Sequence, residues 1–202
     1  MSTAHGILDA MTRTSRERHR DWLVELAKAA AAVANYCDHA EHNEPTERTW
    51  VSASASVLRS LAVEIAAAEG EDLQRLYAAR LRQIEERSPL WSPEELDGAT
   101  LATSAATLRE LQLAQLEHDR RYHPDIVGLS KADQLRHCAL HVAKLVGALA
   151  ELSTGEAEHQ DFVARRLPDL LLFGLKLATL CGESLDDEAL SASGQPLKLV
   201  AG

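Results

Sequence analysis

Two histidines one helical turn apart, His137 and His141, are the side chains whose spacing most invites chemistry. Neutral imidazoles at i and i+4 project from one side of a helix, where a transition metal could bridge them. Lys144 and Ala148 continue the stripe, so that side carries two imidazoles, an ammonium and a methyl group. A metal there needs further ligands, and Asp133, His118, His123 and His159 have the right atoms. In a chain with nine histidines, such a pair is more often a polar face or a set of locally bonded groups. We therefore expect no metal ligand and no catalytic residue, and take His137, His141, Lys144 and, further along, Asp169 as candidates for ligand binding.

Other spacings carry less. Glu156 and His159 have the ExxH spacing of di-iron carboxylate bundles, but no second ExxH accompanies them. Glu41 and Glu44 are also three apart, in a stretch that reads as a solvated loop. The chain has no phosphate-cradling glycine loop, dinucleotide fingerprint, GxSxG or HExxH motif. No Ser or Cys stands in an arrangement from which a nucleophile and its base could be argued. Cys37, Cys138 and Cys181 are far apart, each inside a helical pattern, and read as buried thiols.

The elements that must position these residues are helices. The histidine pair lies in a helix-sized stretch, 135–152, with Leu135, Ala139, Val142, Val146 and Leu149 as its apolar face. By that assignment the histidines lie roughly opposite. Ser130 to Asp133 starts this helix and Gly155 stops it. Before it, Thr14 to Glu17 has capping-box spacing and predicts a helix to about Tyr36. A second helix is expected from about Pro45 to Glu69, stopped by Gly70, and a third from Glu71 to Arg87. Ser92-Pro93-Glu94-Glu95 predicts the start of a fourth, bending near Gly98 and reaching about Arg121. A sixth spans Glu156 to Cys181, with a kink or restart at Pro168 and an all-round apolar stretch, 170–180, expected at the core centre. A short helix is expected at 186–190. No period-two strand pattern occurs.

Composition agrees. The 202 residues, enough for one large domain or two small ones, are 46% hydrophobic and 26% charged, with only 10 Gly and 6 Pro, which favours a helical globular protein. Acidic residues outnumber basic ones, 31 to 21, for a net charge of −10. That balance repels nucleic acid and anionic membranes at long range, so neither is expected as a partner. The beginning of the chain lacks a secretory pattern, and the most apolar stretch, 167–181, is too short to span a bilayer. A cytoplasmic location is expected.

Two helix pairs look alike. AKAAAAVA (27–34) resembles AKLVGALA (143–150), and VLRSLAVEIAAAEGEDL (57–73) resembles DLLLFGLKLATLCGESL (169–185), aligning Lys28 with Lys144 and Gly70 with Gly182. In the first half, Trp22 is followed by the turn Gly70-Glu71-Asp72-Leu73 and a helix running from Leu76 through Arg80 to Arg87. In the second, Lys144-Leu145-Val146-Gly147-Ala148-Leu149 precedes Arg166 to Asp169 and the turn Gly182-Glu183-Ser184-Leu185. Each half thereby resembles the MazG-like, all-α nucleoside triphosphate pyrophosphohydrolases, over about three-quarters of the chain. Their plan is an early Trp, an EExGEL helix, an ExxD helix, an LGxDLE-type turn and a final charged helix.

That resemblance implies the fold and, in active relatives, Mg²⁺ held by clustered carboxylates, the hard oxygen donors this ion requires. The corresponding positions here are Lys28, Ala29, Ala32, Ser54 and Val57, then Lys144, Leu145, Ala148, Arg166 and Asp169. Only Asp169 is acidic. The family packing implies that Lys144 faces Asp169, with the ammonium in place of the metal. The expected architecture is an all-α helical bundle of two pseudo-repeated MazG-like helix pairs. A lead (1–13) and a tail (191–202) flank a single domain, 14–190, with halves about 14–90 and 91–190. The expected function is a degenerate, non-catalytic module that binds a small molecule or nucleotide, or serves assembly, without cofactor, with a homodimer as one arrangement. The alternative is an active Mg²⁺-dependent nucleotide pyrophosphohydrolase, or another enzyme using the same cleft.

Overall fold

The computed structural model describes residues 3–92 and 97–185, with side chains from Ser15 onward. Its elements are α1 (Thr3–Glu41), α2 (Arg48–Glu69), α3 (Leu73–Glu85), α4 (Gly98–Ser104), α5 (Leu108–Tyr122), α6 (Pro124–Val127), α7 (Lys131–Thr154), α8 (His159–Asp161) and α9 (Leu167–Cys181). A π-helical turn, Phe162–Arg166, joins α8 to α9. Among the described residues there is no strand, and the protein is an all-α bundle.

Four helices close a ring: α1 packs on α2 and α7, and α9 packs on the same two. Helices α3, α4 and α5 cover one side, with α3 and α5 resting on α9. The all-round apolar pattern of α9 has its expected outcome. Leu167, Leu170, Leu171, Leu172, Phe173, Leu175, Leu177 and Ala178 are all buried. The ring helices also approach closely: a Cβ on Gly174 of α9 would sit 2.8 Å from Arg59 Cγ and 3.2 Å from the Ala55 carbonyl oxygen of α2. Only glycine fits that crossing.

α2 is a described helix long and apolar enough to cross a membrane, where the sequence singles out 167–181 as the most apolar stretch. Here α2 is a core helix, with Val51, Ala55, Leu58, Leu61, Ala62 and Ile65 facing the bundle interior. Gly70, Gly155 and Gly182 end α2, α7 and α9 in the left-handed region that favours glycine, at φ of 70°, 83° and 74°.

Several boundaries differ from expectation for local reasons. The α1 backbone is helical from Thr3 and passes through the Thr14–Glu17 start signal. The expected fourth helix is two helices, and the break lies at 105–107 rather than Gly98. Thr107 and Glu110 form a reciprocal capping box that starts α5. The Gln74 side chain closes the end of α4 by donating to the carbonyls of Ala102 and Ala105, at 2.9 and 2.7 Å. Much of the Ser92–Glu95 start signal, and the helix expected at 186–190, lie outside the described residues. The restart expected at Pro168 takes the form of the π-helical turn, with Pro168 in the first turn of α9, where its missing N–H costs nothing.

On α7 the buried stripe is Leu135, Cys138, Val142, Leu145, Leu149 and Leu152. Spacings of three and four make this the seam that faces α1 and α9, so the apolar face is rotated from the expected one. Cys138 and Leu145 lie inside, while Ala139 and Val146 are half-buried. The rotation carries His137 and His141 to the edge of the core, where both are half-buried.

Candidate functional site

The sequence candidates separate into two places. Asp169 sits in the first turn of α9, buried, and faces α3. Arg80 donates from Nε to its Oδ1 at 2.7 Å and from Nη2 to its Oδ2 at 3.1 Å. Both carboxylate oxygens are occupied by one guanidinium in a two-pronged pair, the geometry in which arginine binds carboxylate best. The expected Lys144–Asp169 pair is therefore not formed. Lys144 is exposed on α7 and pairs with no carboxylate among the described residues. Arg80 reaches Asp169 first because α3 packs directly on α9.

The other positions where the MazG-like plan keeps carboxylates do not suit Mg²⁺ either. Ser54 is buried and donates to the carbonyls of Ala29 and Trp50, at 3.0 and 2.8 Å. Lys28 is exposed, 2.7 Å from Glu25 on its own helix. One carboxylate already matched by a guanidinium, among lysine, serine and methyl groups, does not fit a hard divalent cation.

His137 and His141 belong to a second cluster, where α5, α6, α7 and α9 meet. His141 stacks on Phe173 of α9, ring centroids 4.6 Å apart and planes 22° apart, and lies 4.6 Å from the His137 ring. His137 lines a cavity of about 70 Å³ together with Gln115, Asp119, Gln134, Cys138 and Lys176. A polar chain crosses its wall. The buried Tyr77 hydroxyl donates to Gln115 Oε1 at 2.7 Å, and Gln115 Nε2 donates to Asp119 Oδ1 at 3.0 Å. Lys176 Nζ reaches the same carboxylate oxygen at 2.9 Å. Behind it, His118 Nδ1 lies 2.9 Å from Glu85 Oε1, with both side chains fully buried. His118, Asp119 and His123 each offer one ligating atom within 4.8 Å of the others.

The electrostatics follow from burial beside a lysine. Burial, then His137, Lys144, Lys176 and His123, push the His141 imidazole down to about 4. Burial, then Lys176, also lowers His137 and His123 below the usual imidazole value. Burial raises the Cys138 thiol to about 12, so it is a packed apolar group and no nucleophile. Near neutral pH His137, His141 and His123 are therefore neutral, beside the Lys176–Asp119 pair.

The structure thus brings His137 and His141 together, leaves Lys144 at the surface and turns Asp169 toward α3. Sequence reasoning missed Arg80, Glu85, Gln115, Asp119 and Lys176, and named His118 and His123 only for their chemistry. Comparison of the chain with protein-family models, curated proteins and solved structures found no match.

Proposed function

We propose that the protein is a degenerate MazG-like bundle that binds a small ligand and does not hydrolyse nucleoside triphosphates. The observation that carries this reading is the Arg80–Asp169 pair: the one carboxylate left at the family's metal positions has both oxygens occupied. The order of the ring supports a duplicated plan. α1 and α2 are followed by α7 and α9 in the same roles, and Gly70 and Gly182 end the second helix of each pair with the same backbone conformation. The ligand seat is the corner lined by His137 and Lys176. Organic ligand pockets usually enclose hundreds of cubic ångströms. A cavity of about 70 Å³ suits an ion or a very small polar molecule rather than a nucleotide.

The test incubates the full chain with a panel of nucleoside triphosphates and Mg²⁺ or Mn²⁺, and follows pyrophosphate and monophosphate. The expected release equals that of heat-inactivated protein. Metal-dependent turnover that co-purifies with the protein and tracks its concentration overturns the reading in favour of the active enzyme.

A further inference from the structure

The buried end of α5 holds an unexplained atom. His118 is 1% exposed, and its Nε2 has no hydrogen-bond partner. Buried polar atoms are nearly always satisfied, so an orphan of this kind needs a reason. Its other nitrogen is accounted for. Glu85 Oε1 accepts the Ala99 amide at 3.0 Å and lies 2.9 Å from His118 Nδ1, so Nδ1 is the donor. That carboxylate fixes the ring orientation and leaves Nε2 as the atom His118 can offer outward. A carboxylate behind a histidine whose other nitrogen is open is the usual outer shell of a metal-binding imidazole.

We propose that His118 Nε2, His123 and Asp119 form a binding site for a divalent transition metal of the Zn²⁺ class. One ligating atom of each lies within 4.8 Å of the others. Donors about 2.1 Å from one tetrahedral ion stand about 3.4 Å apart, so a pair at the 4.8 Å limit closes by roughly 1.4 Å on binding. In the proposed site that movement falls to the His123 ring, half-buried at the end of α5. It already lies against His118, ring centroids 5.5 Å apart. Asp119 has a free oxygen for the ion: Gln115 and Lys176 both reach Oδ1, and no donor among the described residues reaches Oδ2. Two imidazoles and one carboxylate select Zn²⁺, Co²⁺ or Ni²⁺ over Mg²⁺. Three protein donors leave a position for solvent or an exogenous group, as in open zinc sites. Lys176 is the opposing charge and sets an upper limit on affinity.

The inference is separate from the loss of hydrolysis, because the site shares no residue with the Arg80–Asp169 pair. The full chain, without an affinity tag and stripped by chelator, is titrated with Co²⁺ while visible absorption is recorded, and with Zn²⁺ while the melting temperature is followed. One equivalent of Co²⁺ is expected to develop ligand-field bands, and Zn²⁺ to raise the melting temperature. His123→Gln, at a half-buried position, should weaken binding at least tenfold while leaving the melting temperature of the metal-free chain nearly unchanged. Glu85→Gln, which keeps the shape of the positioning residue, should weaken it by about 10–100-fold. Lys176→Met should tighten it. Absence of a one-equivalent site in the wild-type chain overturns the proposal. So does binding that survives His123→Gln, whether the metal then sits at the half-buried His39 and exposed His42 or elsewhere.

Discussion

Replacing Arg80 by methionine removes the partner of a buried carboxylate and leaves the aliphatic packing of the side chain nearly intact. The pair is well inside the protein, with side-chain exposures of 16% for Arg80 and 9% for Asp169. Exposed ion pairs contribute about 0.2–1 kcal/mol. Breaking a buried pair costs about 3–5 kcal/mol, because the remaining charge has lost both water and partner. Two hydrogen bonds, at 2.7 and 3.1 Å, place this pair in the second group. Arg80→Met is therefore expected to cost about 3 kcal/mol, which for a domain of this size lowers the melting temperature by roughly 6–12 °C. Asp169→Leu alone should cost a similar amount. The double variant should cost less than either single one, since an apolar pair of similar volume removes both desolvation penalties. Equilibrium unfolding in urea, fitted as a double-mutant cycle, measures the coupling. An Arg80→Met cost below about 1 kcal/mol, or additive single costs, refutes the reasoning.

Three further outcomes follow from the packing. Gly174→Ala places a methyl group 2.8 Å from Arg59 Cγ and 3.2 Å from the Ala55 carbonyl oxygen, so the Arg59 side chain or the two helices must shift; urea unfolding should register about 1–3 kcal/mol lost. Gly98→Ala puts its methyl group 2.5 Å from His118 Cβ and 2.9 Å from the Ala114 carbonyl oxygen, and should cost a similar amount in the same assay. The third concerns pH. Folded His141 titrates near 4, against 6.5 for the ordinary imidazole, so between those values the unfolded chain binds a proton that the folded chain refuses. Its contribution is complete above about pH 6.5 and is lost as pH falls toward 4, roughly 2 kcal/mol after allowance for partial exposure. His141→Phe, which keeps the stack on Phe173, should flatten the slope of stability with pH over that interval. An unchanged slope contradicts the assignment.

The parts of the fold that were legible in the sequence are those set by local chemistry. Ser130 and Gly155 bracket α7 as their types dictate, and the largely apolar run from Leu170 to Ala178 is the buried centre of the ring. The site was less legible because its groups meet only through packing. Asp119 and Lys176 come from α5 and α9, and Arg80 and Asp169 from α3 and α9, with nothing local to join them. The sequence carries one signal of these contacts. Tyr77, Leu81 and Glu85 form one stripe, as do Leu111, Gln115, His118 and Tyr122, so polar residues occupy apolar positions on two helices. A carboxylate on a buried stripe needs partners, and Glu85 finds them in His118 Nδ1, the Ala99 amide and Arg82. The apolar face of α7 is rotated from the expected one because Ala139 and Val146 fit the helical period as well as Cys138 and Leu145 do. Volume decides between them, and the larger side chains of the latter pair fill the seam.

The direct test of whether Arg80 has taken the place of a metal is a calorimetric titration of the full chain with Mg²⁺, with and without a nucleoside triphosphate. With Asp169 saturated by the guanidinium, no stoichiometric Mg²⁺ binding is expected in either condition. One or two equivalents of Mg²⁺ bound per chain, tightened by the triphosphate, would contradict it and restore the active pyrophosphohydrolase.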